Sequence, residues 1–222
     1  MMFAAGFGTR MKELTRDRPK PLIEVGGRAL IDHTLALARA AGCAPIVANL
    51  HYKAEMLEAH LAPLGVQTVS ETPDILDTGG GLRNALPLLG TGPVVTLNTD
   101  AIWSGPSPVS LLQQAWEPGK MDALLLCLPP AQALGHGGQG DFLLQADGRL
   151  ERGPGLVYGG IQIIRTEGLK AVAETVFSLN LAWNEMQARG RLYGISYPGR
   201  WCDVGHPGGI ALAESLLDSS DV

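Results

Sequence analysis

The amino-terminal stretch from Phe3 to Leu22, FAAGFGTRMKELTRDRPKPL, constrains this chain more than any other. An apolar start, Met1 to Ala5, breaks at Gly6 and Gly8 into a loop that carries Thr9, Arg10, Lys12, Arg16, Arg18 and Lys20. The layout is a strand followed by a phosphate loop. Lacking Cβ atoms, Gly6 and Gly8 let backbone N–H groups close on an anion, and Arg10 and Lys20 add formal positive charge. The ligand expected of such a loop is a polyphosphate. Pro19 and Pro21 fix the backbone on either side of Lys20 and restrict where its ammonium can point. Spacing excludes two better-known phosphate loops. No Gly-Lys-Ser/Thr string occurs anywhere in the chain, and Met11 stands where a dinucleotide fingerprint needs its third glycine or alanine. Taken alone, a Gly-x-Gly after a strand is equally a plain turn; the proline-flanked lysine separates the two readings.

Apolar periodicity then alternates between strand and helix. Residues 28–41 predict a core-facing helix stopped by Gly42, residues 45–48 a buried strand, 53–64 a second helix and 66–70 a third strand. The glycines Gly79, Gly80 and Gly81 lead into a helix expected over 82–89, and 93–97 (PVVTL) reads as a central strand buried on both faces. Such alternation implies right-handed crossovers and a parallel sheet, with ligands beyond the carboxyl ends of the strands. The loops after residues 5, 48, 70 and 98 should therefore share one crevice. Asn49 and His51 stand on such an end, where His51 reads as a polar strand terminus.

The central strand delivers Asn98, Thr99 and Asp100. A carboxylate there costs desolvation energy unless a positive partner meets it, and a divalent cation between phosphates would serve. Its other reading is a helix cap, but Pro106 and Pro108 delay the next helix, expected over 109–116. After a strand at 122–128 the chain becomes Pro/Gly-rich from 129 to 140. Residues 141–145, 149–152 and 156–165, with an Asp147-Gly148 turn, then read as antiparallel hairpin material that could wall a second substrate. Helices are expected over 167–173 and 179–189, a strand over 192–197 and a last helix over 207–217.

AAGFGTRM followed by PKPL, with Lys20 ten residues after Arg10, resembles the signature of the sugar-1-phosphate nucleotidyltransferases, and the likeness runs on through Asp100 and the Trp201-Cys202-Asp203-Val204-Gly205 string. The resemblance implies a Rossmann-like three-layer α/β/α fold with a mixed, mostly parallel central sheet and a small antiparallel insert. It implies a nucleoside triphosphate and a sugar 1-phosphate as partners, and Mg²⁺ held by Asp100 and Asp203. On this likeness Arg10 and Lys20 are catalytic. Ala5, Gly6, Gly8, Thr9, Thr78, Gly79, Gly80 and Asn98 hold the nucleotide, and Gly140, Asp141, Glu151 and Tyr158 contact the sugar. Asp77-Thr78 replaces the Gly-Thr more common in the base loop, and Tyr158 stands where relatives often have Asn. The first strand begins almost at residue 1, where the family usually has several residues before it.

The implied pair is UTP with N-acetylmuramate 1-phosphate or a similar hexosamine phosphate. Mannose 1-phosphate with GTP, glucose 1-phosphate with a pyrimidine nucleotide, and phosphocholine with CTP keep the same chemistry. A nucleotide-sugar sensor without turnover is the reading from another class. The net charge of −5 and pI near 5.5 set the basic loop in an acidic background and exclude a general nucleic-acid surface. Cys43, Cys127 and Cys202 are odd in number and far apart, which reads as reduced cytoplasmic thiols. No window approaches the length of a membrane span. One domain over 1–222 is expected, with a nucleotide-binding half at about 1–105 and a sugar-binding half at about 106–222. No oligomerisation module is seen, so a monomer or small homo-oligomer is expected.

Overall fold

The computed structural model describes residues 1–219. Seven strands make the central sheet: β1 Met2–Phe3, β2 Val47–Leu50, β3 Gln67–Ser70, β4 Val94–Asn98, β5 Ala123–Leu128, β6 Val157–Ile164 and β7 Leu192–Ser196. Their spatial order is β7-β5-β6-β4-β1-β2-β3. Every neighbouring pair is parallel except the two made by β6, which runs against both β4 and β5. The sheet is therefore mixed and mostly parallel, as the family resemblance implied.

The alternation along β5 shows why this sheet must be covered on both faces. Ala123, Leu125 and Cys127 join one hydrophobic cluster, while Leu124, Leu126 and Leu128 join another on the opposite face, and all six are buried. Full burial of each leucine is worth roughly 1.5–3 kcal/mol, so helices on both sides are obligatory. Five supply the cover, α1 Leu30–Ala40, α2 Ala54–Leu61, α3 Asp77–Leu89, α4 Pro108–Ala115 and α5 Leu179–Ala188, while a further helix, α6 Gly208–Asp218, packs away from the central sheet. In α1 the buried set Leu30, Ile31, Thr34, Leu35 and Ala38 forms one stripe. Gly42, at φ 69°, closes the helix with its N–H on the Arg39 carbonyl.

Several expectations need correction. Strand β1 stops at Phe3 instead of Ala5, because the Ala4 N–H leaves the ladder for the Asn49 side chain, 2.8 Å away. Helix α3 starts at Asp77 instead of Leu82, with all three glycines inside it. Tight packing explains them: a Cβ on Gly79 would lie 2.4 Å from the Phe177 ring, and one on Gly80 would lie 2.6 Å from the Thr175 carbonyl. Residues 156–165 are not hairpin material. As β6 they enter the middle of the sheet, since Val157, Ile161 and Ile163 feed one core and Ile164 the other. Of the segments in the insert, Phe142–Leu144 and Leu150–Arg152 do pair as a hairpin. The expected helix at 167–173 is a 3-10 turn, Glu167–Ala171.

The sequence reading had no place for one small sheet. Arg200–Asp203 pairs antiparallel with Ala101–Ser104 and parallel with Ala133–Leu134. Its Ile102, Cys202 and Val204 side chains pack with Ala213 and Leu216 of α6, so alternate residues face the other way, toward the carboxyl ends of the central strands. Asp203 is among them.

Candidate active site

Beyond the carboxyl ends of β1, β2, β3 and β4 lies a cleft of about 350 Å³. Each element brings its residues there for a local reason. From β1 the chain runs through Ala4, Ala5 and Gly6 to Gly8, which adopts φ +63° and accepts the Met11 N–H through its carbonyl. A Cβ on Gly8 would lie 2.8 Å from the Lys20 Cβ, so the phosphate loop rests directly on the lysine stem. Pro19 caps and Pro21 sits within a short 3-10 turn, Lys20–Leu22, in which Lys20 is buried. Its ammonium donates to Asp100 Oδ2 at 2.9 Å.

Asp100 and Asp203 are brought together by the small sheet. Asp203 lies opposite Ala101, and the Val204 N–H donates to the Asp100 carbonyl at 2.9 Å. Arg10 Nη1 lies 3.8 Å from Asp203 Oδ2. Gly205 keeps this corner open, since a Cβ there would fall within 2.8 Å of both the Arg10 guanidinium and the Asp203 carboxylate. Burial, and then the Asp100 charge, push the Asp203 carboxyl above the usual carboxylate range, against the pull of Lys20 and Arg10. Two cations and two carboxylates thus share the floor of one cleft, and the shifted Asp203 is a site that a further cation would relieve.

Among the described residues no group of three His, Cys, Asp or Glu side chains could hold a metal by itself. Two neighbouring carboxylates with no nitrogen or sulfur ligand suit a hard, oxygen-seeking divalent ion whose remaining positions are filled by phosphate oxygens and water. The donor set therefore fits Mg²⁺.

The expected residues fall into two groups. Ala5, Gly6, Gly8, Thr9, Arg10, Lys20, Thr78, Asn98 and Asp100 all line the cleft, and Asp203 faces it through Arg10 and Asp100. Gly79 and Gly80 do not: both donate their N–H groups to the Phe177 carbonyl, at 2.9 and 3.0 Å, and are buried in α3. None of the four residues expected at the sugar lines it either. Gly140, at φ +90°, lets the chain pass the Gly155 carbonyl, which a Cβ would strike. Asp141 accepts the Tyr158 N–H at 2.8 Å, and the Tyr158 ring packs edge-on against Trp183, 5.1 Å between centroids. Glu151 pairs across the hairpin with the exposed Leu143 and borders a separate depression with Asp147, Arg149 and Gln187.

The cleft also contains residues the sequence reading gave no role. Asn49, Glu71, Ile75, Asp77, Thr99 and Gly205 line it. No comparable signal marked Glu71: it follows β3, an edge strand of exposed and half-buried residues, whereas Asp100 follows a central one. His51 contributes to the scaffold, its Nδ1 lying 2.7 Å from the Glu71 carbonyl.

The family model described as "MobA-like NTP transferase domain" matches residues 1–136. The chain is 40% identical to an N-acetylmuramate alpha-1-phosphate uridylyltransferase of Caulobacter vibrioides, over 98% of this chain and 96% of that protein. It is 31% identical to the enzyme of the same name from Neisseria meningitidis serogroup B, over 92% of each. A mannose-1-phosphate guanylyltransferase catalytic subunit beta of Drosophila melanogaster is 26% identical over 93% of this chain and 59% of its own length. In fold the chain resembles HddC from Yersinia pseudotuberculosis complexed with GMP-PN, with TM-score 0.77, 19% identity and 97% of each chain covered. A putative glucose-1-phosphate thymidylyltransferase from Bacillus anthracis gives TM-score 0.79 at 17% identity, covering 100% of this chain and 94% of that one. No helix among the described residues is long and apolar enough to cross a membrane.

Proposed function

The chain belongs to the MobA-like NTP transferase family, and from that premise we propose that it transfers UMP from UTP to N-acetylmuramate 1-phosphate, releasing pyrophosphate. The observation that carries this reading is the alternating charge cluster Lys20, Asp100, Asp203 and Arg10 beneath a glycine loop. The near full-length likeness to the Caulobacter uridylyltransferase supports the choice of substrates.

The chemistry follows from charge. A sugar 1-phosphate oxygen is already largely anionic near neutral pH and needs no general base to attack the α-phosphorus of the nucleotide. A new P–O bond forms at that phosphorus as the bond to the β-phosphate oxygen breaks, and pyrophosphate carries away the electron pair. The barrier is anion repulsion and orientation. Lys20, held rigidly by its prolines, meets the reacting phosphates, while Arg10, on a more exposed side chain, meets the leaving pyrophosphate. Asp100 and Asp203 would hold Mg²⁺, which when bound neutralises phosphate charge as a Lewis acid. The main chain at Gly6 and Gly8 cradles the phosphates, and Asp77 and Thr78 flank the base. In this reading residues 1–222 act as one domain, monomeric or in a small homo-oligomer. The half at about 1–105 serves the nucleotide and the half at about 106–222 serves the acceptor.

The test is pyrophosphate release with UTP, GTP, CTP and dTTP against N-acetylmuramate, N-acetylglucosamine, mannose and glucose 1-phosphates, with and without MgCl₂. UTP with N-acetylmuramate 1-phosphate should give the highest kcat/KM and require the metal. A best rate with GTP and mannose 1-phosphate would move the assignment to the activity named for the Drosophila relative. Tight nucleotide binding with no pyrophosphate release from any pair would instead mark a sensor.

A further inference from the structure

Beside the charged floor of the cleft lies a carboxylate that this chemistry does not use. Glu71 is fully buried at the end of β3, and both of its oxygens are occupied. Oε1 accepts from the Asn49 amide at 2.6 Å, and Oε2 accepts from the Leu76 N–H at 2.7 Å. Asn49, itself 4% exposed, accepts the Ala4 N–H through Oδ1 at 2.8 Å. The result is an unbroken chain, from Ala4 N–H through the Asn49 amide and the Glu71 carboxylate to Leu76 N–H.

That chain links the loop that leaves β1 to the loop that enters α3. Ala4 is the residue from which the phosphate loop departs, and Leu76 immediately precedes α3, whose Asp77 and Thr78 line the cleft. The surrounding structure is cut to admit it. A Cβ on Gly81 would lie 2.5 Å from Glu71 Oε1 and 2.9 Å from the Asn49 amide nitrogen. The Glu71 main chain is pinned too, by its N–H on the Leu50 carbonyl at 2.7 Å. Glu71 borders the cleft but has no exposed surface, and each of its oxygens already accepts a hydrogen bond, so its effect passes through what it holds.

We propose that Asn49 and Glu71 are a positioning pair that locks the phosphate loop and the base loop in register for a nucleoside triphosphate. This rests on reading the cleft as the nucleotide site. The pair sets nucleotide affinity, and leaves the affinity for the sugar phosphate to the opposite side of the cleft.

The hydrogen bonds are directional, and this makes the proposal testable. In Glu71→Gln, one amide group must face either the Asn49 amide or the Leu76 N–H, donor against donor. In Asn49→Asp, two carboxylates face each other. The double exchange Asn49→Asp with Glu71→Gln pairs every group again: Asp accepts from Ala4 N–H and from the Gln amide, and the Gln carbonyl accepts from Leu76 N–H. The volumes are almost unchanged. Calorimetric titration of each protein with UTP in MgCl₂, and KM for UTP and for N-acetylmuramate 1-phosphate, are the measurements, with thermal unfolding alongside. Each single variant should weaken UTP binding by roughly tenfold, the scale of one mispaired buried group, while the KM for the sugar phosphate stays within about twofold. The double variant should bind UTP within about threefold of wild type.

The proposal is overturned if the singles bind UTP as wild type does, if both KM values rise together, or if the double is no better than the worse single. Should the singles fail to fold, a folded double with wild-type UTP affinity supports the pairing, and an unfolded double overturns it. A wild-type protein that binds none of the four triphosphates sinks the nucleotide reading itself, and this proposal with it.

Discussion

The cleft side of the molecule and the insert hold their polar residues in different ways. On the first, Lys20, Asn49, Glu71 and Asp100 stand at strand ends or in a proline-fixed turn, and each is tied to a partner between 2.6 and 2.9 Å away. In the insert, register decides where a side chain points. Phe142 and Leu150 are buried on one face of the hairpin while Leu143 and Glu151 take the other. The carboxyl end of a central parallel strand has one direction in which to present a residue; a two-stranded hairpin has two, and a shift of one residue exchanges them. Chemistry that needs fixed charge therefore belongs on the first side.

The sharpest way to break this contrast is to remove charge there. Lys20→Met or Asp100→Asn should lower the rate of pyrophosphate release by roughly 10² to 10³, the usual loss for one preorganised electrostatic group. Asp100→Asn leaves the buried Lys20 ammonium without its partner and should also lower the unfolding temperature, so rates are compared below the unfolding transition of each variant. A fall of less than tenfold in both variants, at saturating substrates, would mean that the rigid side is scaffold and the chemistry lies elsewhere.

Gly8→Ala is a milder probe of the same side. The residue sits at φ +63°, and its new methyl would meet the Lys20 stem at 2.8 Å, so loop and lysine must move apart. A displaced ammonium should cost roughly tenfold in kcat, since positioning errors of this size are expensive in a preorganised site. The comparison sharpens with Gly6→Ala, at a position where a Cβ meets no protein atom within 4 Å: Lys20 keeps its place, so the loss should fall on the KM for UTP, through the phosphates that the Gly6 main chain cradles, more than on kcat.

The residues behind these variants differ in how far the sequence alone marked them. Gly6, Gly8, Arg10, Lys20 and Asp100 could be read because local signals fix them: glycines after an apolar run, a lysine between prolines, an aspartate after a β-branched strand. Most of the parallel sheet was legible for the same reason. Asp203 came through the Trp201-to-Gly205 string, but the small sheet that brings it to Asp100 did not, because its strands lie far apart in sequence and the shortest has two residues. Gly79 and Gly80 misled because a glycine cleared for a neighbouring side chain looks the same as one cleared for a ligand. Only Phe177, about a hundred residues away, distinguishes the two. Strand β6 misled likewise, since its partners in the sheet centre are not its neighbours in the chain.

The smallest expected effect is on the insert. Glu151→Gln should change the KM for the sugar phosphate by less than about twofold, because an exposed carboxylate on the outward face of a hairpin touches nothing in the cleft and surface substitutions of this kind are nearly neutral. The family resemblance assigned Glu151 to the sugar, so this variant weighs likeness directly against geometry. A tenfold rise in that KM, with the KM for UTP unchanged, would require the hairpin to turn its outer face inward when the acceptor arrives. The difference between the two sides would then be one of timing, with the nucleotide wall built in advance and the acceptor wall assembled by the substrate itself.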